Sequence, residues 1–229
     1  AWMFYWSGLL YWFHHSIQWL LESQDFALGL TAIPIWMLAT QAGLSRRLCW
    51  FSCLLWWLQP LVFNVNLFDF HPETWVMPGL AIAIWCQRQK RFGAWVVLLV
   101  LMLGCRDGLV LVTLGLSLSL LIQRRWRWAI TGAGLSVAWI LLLSKWLYPW
   151  FRNGEGPKAA GQMFSHLGDN FGQILFTLIS QPWLAFTHID LGGGAFYLLL
   201  LILPTLPFWR KRSLIILSAA IPLLLVNLN

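Results

Sequence analysis

The string Asn66-Leu67-Phe68-Asp69-Phe70-His71-Pro72-Glu73 places two carboxylates and an imidazole within five residues. Such a set can hold sugar hydroxyls, bind a metal or move a proton. Pro72 disfavours helix at His71 and stiffens the turn, so the three side chains keep a fixed relation. The structural alternative is a capping turn, in which Asp69 or Thr74 caps the helix that follows. His71-Pro72-Glu73 also matches half of a zinc deaminase motif, but no Pro-Cys-x-x-Cys follows it, and no metal or other cofactor is expected.

A second charged turn is Cys105-Arg106-Asp107, set between two apolar stretches. A charge at mid-membrane costs ~2.5–3.5 kcal/mol on insertion scales, and ionisable residues there usually line a functional cavity. The alternative is an Arg106–acid pair that merely joins two short helices. Lys145, Arg152 and Lys158 are the other cations outside the basic clusters. Arg152 and Lys158 belong to a Gly- and Pro-containing stretch, Tyr148–Gln173, expected to form a long polar loop that acts as a lid or is simply solvated. Lys145 would serve equally well as a snorkelling residue.

The elements that carry these turns are written in the hydropathy. Apolar residues make up 59% of the 229 and charged residues 10%, too few charges to coat a water-facing surface. Mean hydropathy is +0.69. The 18 tryptophans suit membrane–water interfaces. The net charge of +7 does not point to nucleic acid, because 11 of the 15 Lys and Arg residues fall in four short clusters. These are Arg46-Arg47, Arg88/Lys90/Arg91, Arg124/Arg125/Arg127 and Arg210-Lys211-Arg212, and none contains an acidic residue. By the positive-inside rule they mark the cytoplasmic side. The eight acidic residues and the four remaining cations then map to the other side.

The expected architecture is an all-α, polytopic integral membrane protein with about eight transmembrane segments. Phe26–Gly43, Leu48–Phe63, Trp75–Cys86, Gly93–Gly104, Gly108–Ile122, Trp128–Leu147, Ala195–Trp209 and Leu214–Leu228 are its spans. Residues 1–22 read as an interfacial amphipathic helix with a stripe of Ser7, Tyr11, His14, Gln18 and Glu22. Residues 26–147 form helical hairpins, 148–173 an extracytoplasmic loop and 174–229 the C-terminal helices of a single membrane domain. Gly192-Gly193-Gly194 reads as a hinge and Ile174–Phe186 as an interfacial segment. Cys49 and Cys53 share a helix face and, with Cys86 and Cys105, read as small packing residues. Ala1 follows no initiator Met or cleavage site, so the chain is expected to be processed or a fragment.

Twelve residues of helix rise only ~18 Å against a hydrocarbon core of ~30 Å. The Arg106-Asp107 turn is therefore expected below the outer surface, where non-helical backbone needs a water-filled cavity or surrounding protein.

The Asn66–Glu73 string, the short helix and basic loop after it, and the Arg106-Asp107 turn resemble an uncharacterised bacterial family of predicted membrane proteins in the GT-C glycosyltransferase superfamily. Leu167-Gly168-Asp169, Gln181-Pro182, Leu203-Pro204 and Asn227-Leu228 resemble its C-terminal half. Where the family often has Lys-Glu-Asp, this chain has Cys105-Arg106-Asp107. The resemblance implies a GT-C-like fold in the bacterial inner membrane and an extracytoplasmic active site. It further implies transfer of a sugar from a polyprenyl-phosphate donor, with the usual aspartate base in a loop ahead of Ala1. On that reading Asp69, His71 and Glu73 hold sugar or acceptor. Arg106, Asp107, Lys145, Arg152 and Lys158 complete the substrate-binding set, a cation among them neutralising the leaving phosphate, and the partners are the lipid-linked sugar, or another lipid, and the bilayer. A transporter, or a non-catalytic lipid-binding or assembly subunit, is the alternative.

Overall fold

A computed structural model describes residues 3–13, 15–67, 69–151, 191–203 and 214–222, with a few isolated positions between residues 173 and 224. The described residues are mostly helical and contain no strand. They divide into two compact units, one built from residues 1–109 and 200–209, the other from 110–199 and 210–229.

The first unit begins with α1 (Met3–Phe13) and α2 (Gln18–Leu30). The chain expected to form one interfacial helix is thus non-helical at residues 15–17, with α2 starting afresh at Gln18. Ser7 is buried, while Tyr5, Trp6, Tyr11, Trp12 and Phe13 are exposed, so α1 turns its serine inward and these five aromatic side chains outward. Gln18 and Glu22 lie on α2, not on a continuation of α1. The polar run Glu22–Asp25 does not end a helix either, because α2 passes straight through it. The reason is Gln24, which is wholly buried and hydrogen-bonded rather than solvated.

After Thr31 the chain continues as α3 (Ala32–Gln41), so the expected span Phe26–Gly43 is made of parts of two helices. A left-handed residue then reverses it: Gly43 has φ 76°, the Leu44 N–H donates to the Ala39 carbonyl (3.2 Å) and the Gly43 N–H to the Thr40 carbonyl (3.0 Å). This six-to-one and five-to-two pairing satisfies carbonyls that the helix end leaves open. α4 (Arg46–Trp57) packs back on α3 through small side chains. Cys49 and Cys53 are both buried, the Cys53 thiol lies 3.3 Å from the Ala32 carbonyl, and Trp36 meets Trp50 edge-on at 4.9 Å. The Trp56 indole N–H donates to the Leu28 carbonyl (2.9 Å), tying α4 to α2. The cysteines are free thiols that let backbones approach, as expected.

The apolar stretch expected as Leu48–Phe63 is bent by 44° between α4 and α5 (Pro60–Leu67). Pro60, lacking an N–H, can start a helix but not continue one. A 3₁₀ turn (Pro72–Trp75) leads into α6 (Val76–Arg88), which pairs with α7 (Phe92–Leu103). Their connection repeats the Gly43 device with Lys90 at φ 60°, the Arg91 N–H reaching the Cys86 carbonyl (2.9 Å). Trp95 and Leu99 of α7 are completely buried. The consequence for the site is topological. α2, the end of α5, the 3₁₀ turn and the turn after α7 gather at one end of this unit, and the basic turns after α3 and α6 lie at the other.

In the second unit α8 (Leu109–Ile122) and α9 (Trp126–Leu142) are joined by a third turn of the same kind, with Arg124 at φ 59°. A buried hydroxyl pair, Thr113 with Ser136 at 2.6 Å, links the two helices, and Ser136 Oγ also donates to the Gly132 carbonyl (2.9 Å). A Cβ on Gly115 would overlap the carbonyl oxygen of Ala219, so α8 requires glycine at this close approach. α9 runs on through a π-helical turn (Leu143–Leu147) into α10 (Tyr148–Phe151). Tyr148 therefore belongs to helix, not to the loop expected from that point. Gly192–Gly194 likewise lie inside the helix Leu191–Ile202 instead of forming a hinge ahead of it. The Arg210-Lys211-Arg212 cluster and residues 152–172 lie outside the described residues.

Trp126–Trp150 is long and apolar enough to cross a membrane, at 25 residues or ~38 Å. Arg46–Trp57 with Pro60–Leu67 would make a second, bent span. Phe92–Leu103 and Leu109–Ile122 are apolar but shorter. Exposed tryptophans such as Trp12, Trp146 and Trp150 give a surface better suited to lipid than to water.

Candidate functional site

Gln24 organises the polar end of the first unit. Its face of α2 continues through Ala27, Leu28 and Thr31, all buried, so the glutamine heads an otherwise apolar stripe. The Gln24 Nε2 donates to the Val65 carbonyl of α5 (3.0 Å), and its Oε1 accepts the His71 N–H (2.8 Å). These two bonds fix which way the amide faces, since a carbonyl can only accept and an N–H only donate. One side chain thus clamps α2, α5 and the His71 turn together.

Within the turn, Asp69 Oδ1 accepts the Phe70 N–H (2.7 Å), and Asp69 is exposed. The His71 Nδ1 lies 2.6 Å from the Asp69 carbonyl oxygen. Thr74 Oγ1 donates to the His71 carbonyl (2.8 Å), and neither the residue before the 3₁₀ turn nor the one before α6 makes a side-chain cap. The capping role expected for Asp69 or Thr74 is therefore not the one observed: both side chains bond inside the turn.

Glu73 pairs with Arg106, whose guanidinium donates to Oε1 from the turn that follows α7. The Arg106 side chain keeps 58% of its exposure and Glu73 22%. A pair so open to solvent contributes about 0–1 kcal/mol, so its value lies in registering the two turns. The sequence reading of Arg106 as a phosphate-neutralising cation thus meets a guanidinium already engaged by Glu73. Asp107 lies in the same turn and its Oδ1 accepts the Gly108 N–H (3.1 Å).

Asp69, His71, Glu73, Arg106 and Asp107 accordingly fall at one end of one unit. Lys145 is exposed in the π-helical turn of the other unit. Arg152 and Lys158 lie outside the described residues. Among the described residues no three His, Cys, Asp or Glu side chains converge as metal ligands.

Two residues of this end escaped the sequence reading. Gln24 is one. The other is Asn66, whose Oδ1 is buried and has no hydrogen-bond partner among the described residues. A buried acceptor without a donor costs about 1–3 kcal/mol, and such atoms mark places for water or ligand donors. Cys105, under the Arg106 turn, is buried and its thiol is pushed up from 9.0 to about 11, by burial first and by the Glu73 carboxylate second.

This end thus offers hydroxyls an acceptor at Asp69 and Asn66, beside the Arg106 cation paired with Glu73. No curated protein and no solved structure matches the chain. The family described as "Predicted membrane protein (DUF2079)" matches it over residues 1–229. The chain belongs to this family of predicted membrane proteins.

Proposed function

We propose that the chain is a polytopic membrane glycosyltransferase of the GT-C kind, acting on the extracytoplasmic face of a bacterial inner membrane. It takes a sugar from a polyprenyl-phosphate donor through the site around Asp69, His71 and Glu73. The observation that carries this reading is the Gln24 clamp. A wholly buried glutamine spends both ends of its amide on holding the half-buried acid-and-imidazole turn. A turn with no task would need no such support, whereas a site must be held rigidly to position a substrate. The segregation of acids to this end and of basic turns to the other supports an outward-facing site by the positive-inside rule. The short helices α6 and α7 favour a recessed site, reached by a lipid-borne donor from within the bilayer. Arg106 takes the leaving phosphate by exchanging Glu73 for it.

The Glu73–Arg106 pair also favours a second reading, a transporter or a non-catalytic lipid-binding or assembly subunit, because it withdraws both charges from a substrate. One experiment separates the two. The full chain is purified in nanodiscs with a polyprenyl-phosphate-linked hexose, and release of polyprenyl phosphate is followed. Transfer by the wild type, and its loss by about 100-fold or more in Asp69→Asn/Glu73→Gln with folding intact, is the expected result. Unchanged transfer in that variant refutes the site. Sugar movement with no bond broken identifies a transporter.

A further inference from the structure

The basic turns after α3 and α6 share one end of the first unit, and the helix lengths set them level. The rings of Phe26 on α2 and Trp75, just ahead of α6, lie 6.3 Å apart. α6 packs on α3 as well as on α2, so from that contact it runs alongside α3 toward Gln41. Gln41 stands ~22 Å of helix beyond Phe26, and Arg88 ~20 Å beyond Trp75. Arg46, Arg47, Arg88, Lys90 and Arg91 are all exposed, and none of them forms an ion pair among the described residues. Cations gathered at one level with no counter-charge attract an anion.

Topology by itself asks only that such turns be basic, not where in the turn a cation stands. Here the placement is specific. Lys90 takes the left-handed position of its turn (φ 60°), where the first turn has Gly43 (φ 76°). Lysine is strained in that conformation and glycine is not, so a cation is kept there against the preference of the backbone. Its neighbour Arg91 is anchored too, with the guanidinium 5.1 Å from the centroid of the Trp85 ring. Arg46 and Arg47 stand within one helical turn of Trp50, which is exposed. Cations with indoles beside them match the boundary between lipid headgroups and acyl chains.

We infer that these two turns form a binding site for an anionic phospholipid of the leaflet they meet. Lys90 and Arg91 from one turn, and Arg46 and Arg47 from the other, donate to the phosphate oxygens. The acyl chains lie against Leu48 and Trp50, both exposed on α4. No bond is made or broken, and the site does not depend on the glycosyltransferase reading. A free phosphate would meet the same cations but would lack the apolar contact.

Native mass spectrometry of the full chain in detergent tests the site, with dioleoyl-phosphatidylglycerol or dioleoyl-phosphatidylcholine added. Phosphatidylglycerol is expected to bind about 10-fold tighter or more, with the preference falling as salt is raised. Arg46→Gln/Arg47→Gln is expected to lose about 30-fold in affinity for phosphatidylglycerol and Lys90→Gly about 5-fold, with phosphatidylcholine binding unchanged. Lys90→Gly is the decisive variant because glycine suits the turn, so lipid lost from a chain no less stable reports binding and not misfolding. Equal binding of the two lipids overturns the site. So does a Lys90→Gly chain that binds phosphatidylglycerol as the wild type does. Glycerol 3-phosphate that displaces phosphatidylglycerol at equal concentration overturns a phospholipid as the occupant and assigns the turns to a free anion.

Discussion

Replacing Gln24 by Met keeps the length and volume of the side chain but removes both polar atoms. The clamp then loses its 3.0 Å bond to the Val65 carbonyl and its 2.8 Å bond from the His71 N–H. Gln24 is wholly buried, so water does not simply replace it on either partner. Each lost bond costs about 1–2 kcal/mol, counting the desolvated group left behind, which gives about 2–4 kcal/mol for the variant. If the loss is confined to the turn, the His71 amide opens about 30- to 1,000-fold more often. Hydrogen exchange of the peptide containing His71, with detergent-induced unfolding of the same sample, reads both quantities. Exchange and stability unchanged within about 0.5 kcal/mol would refute the claim that Gln24 holds the site.

Three further outcomes follow from other parts of the chain. Gly115→Ala drives a methyl group into the Ala219 carbonyl and is expected to cost about 1–3 kcal/mol by thermal unfolding in detergent, whereas Gly134→Ala, with open space around its Cβ, is expected to be neutral or better. Lys90→Gly relieves a left-handed lysine at φ 60° and is expected to add about 1 kcal/mol, with no gain refuting the strained turn. The Cys105 thiol ionises at about 11 in the folded chain against 9.0 ordinarily, so the unfolded chain loses its proton first. Stability from this group is thus intact below pH 9.0 and falls as pH rises toward about 11, a fall that Cys105→Ala should abolish in pH-dependent unfolding.

Hydropathy located α6 and α7 well, because apolar runs bounded by charges leave few alternatives. Trp75–Cys86 and Gly93–Gly104 differ from α6 and α7 by only one or two residues at each end. It failed where polarity and burial part company. Glu22–Asp25 looked like a boundary, yet Gln24 is a core residue whose partners lie 41 and 47 residues away, beyond any periodicity. The signal available was its place at the head of the stripe Ala27, Leu28 and Thr31. The bend at Pro60 and the helical Tyr148–Phe151 show the same limit, since neither hydropathy nor polarity reports where the backbone bonds continue. At the site, residue types announced Asp69, His71 and Glu73 and offered an Arg106–acid pair as one alternative, but did not single out Glu73, 33 residues away, as its acid.

The account depends most on the acid-and-imidazole turn and the basic turns facing opposite sides of the membrane. Sided labelling of single-cysteine substitutions in intact cells measures this directly, and the four native thiols are buried and give little background. Asp69→Cys should react with a membrane-impermeant maleimide from outside, and Arg47→Cys only after the membrane is opened. Labelling of both from the same side, or of Arg47→Cys alone from outside, would contradict the account.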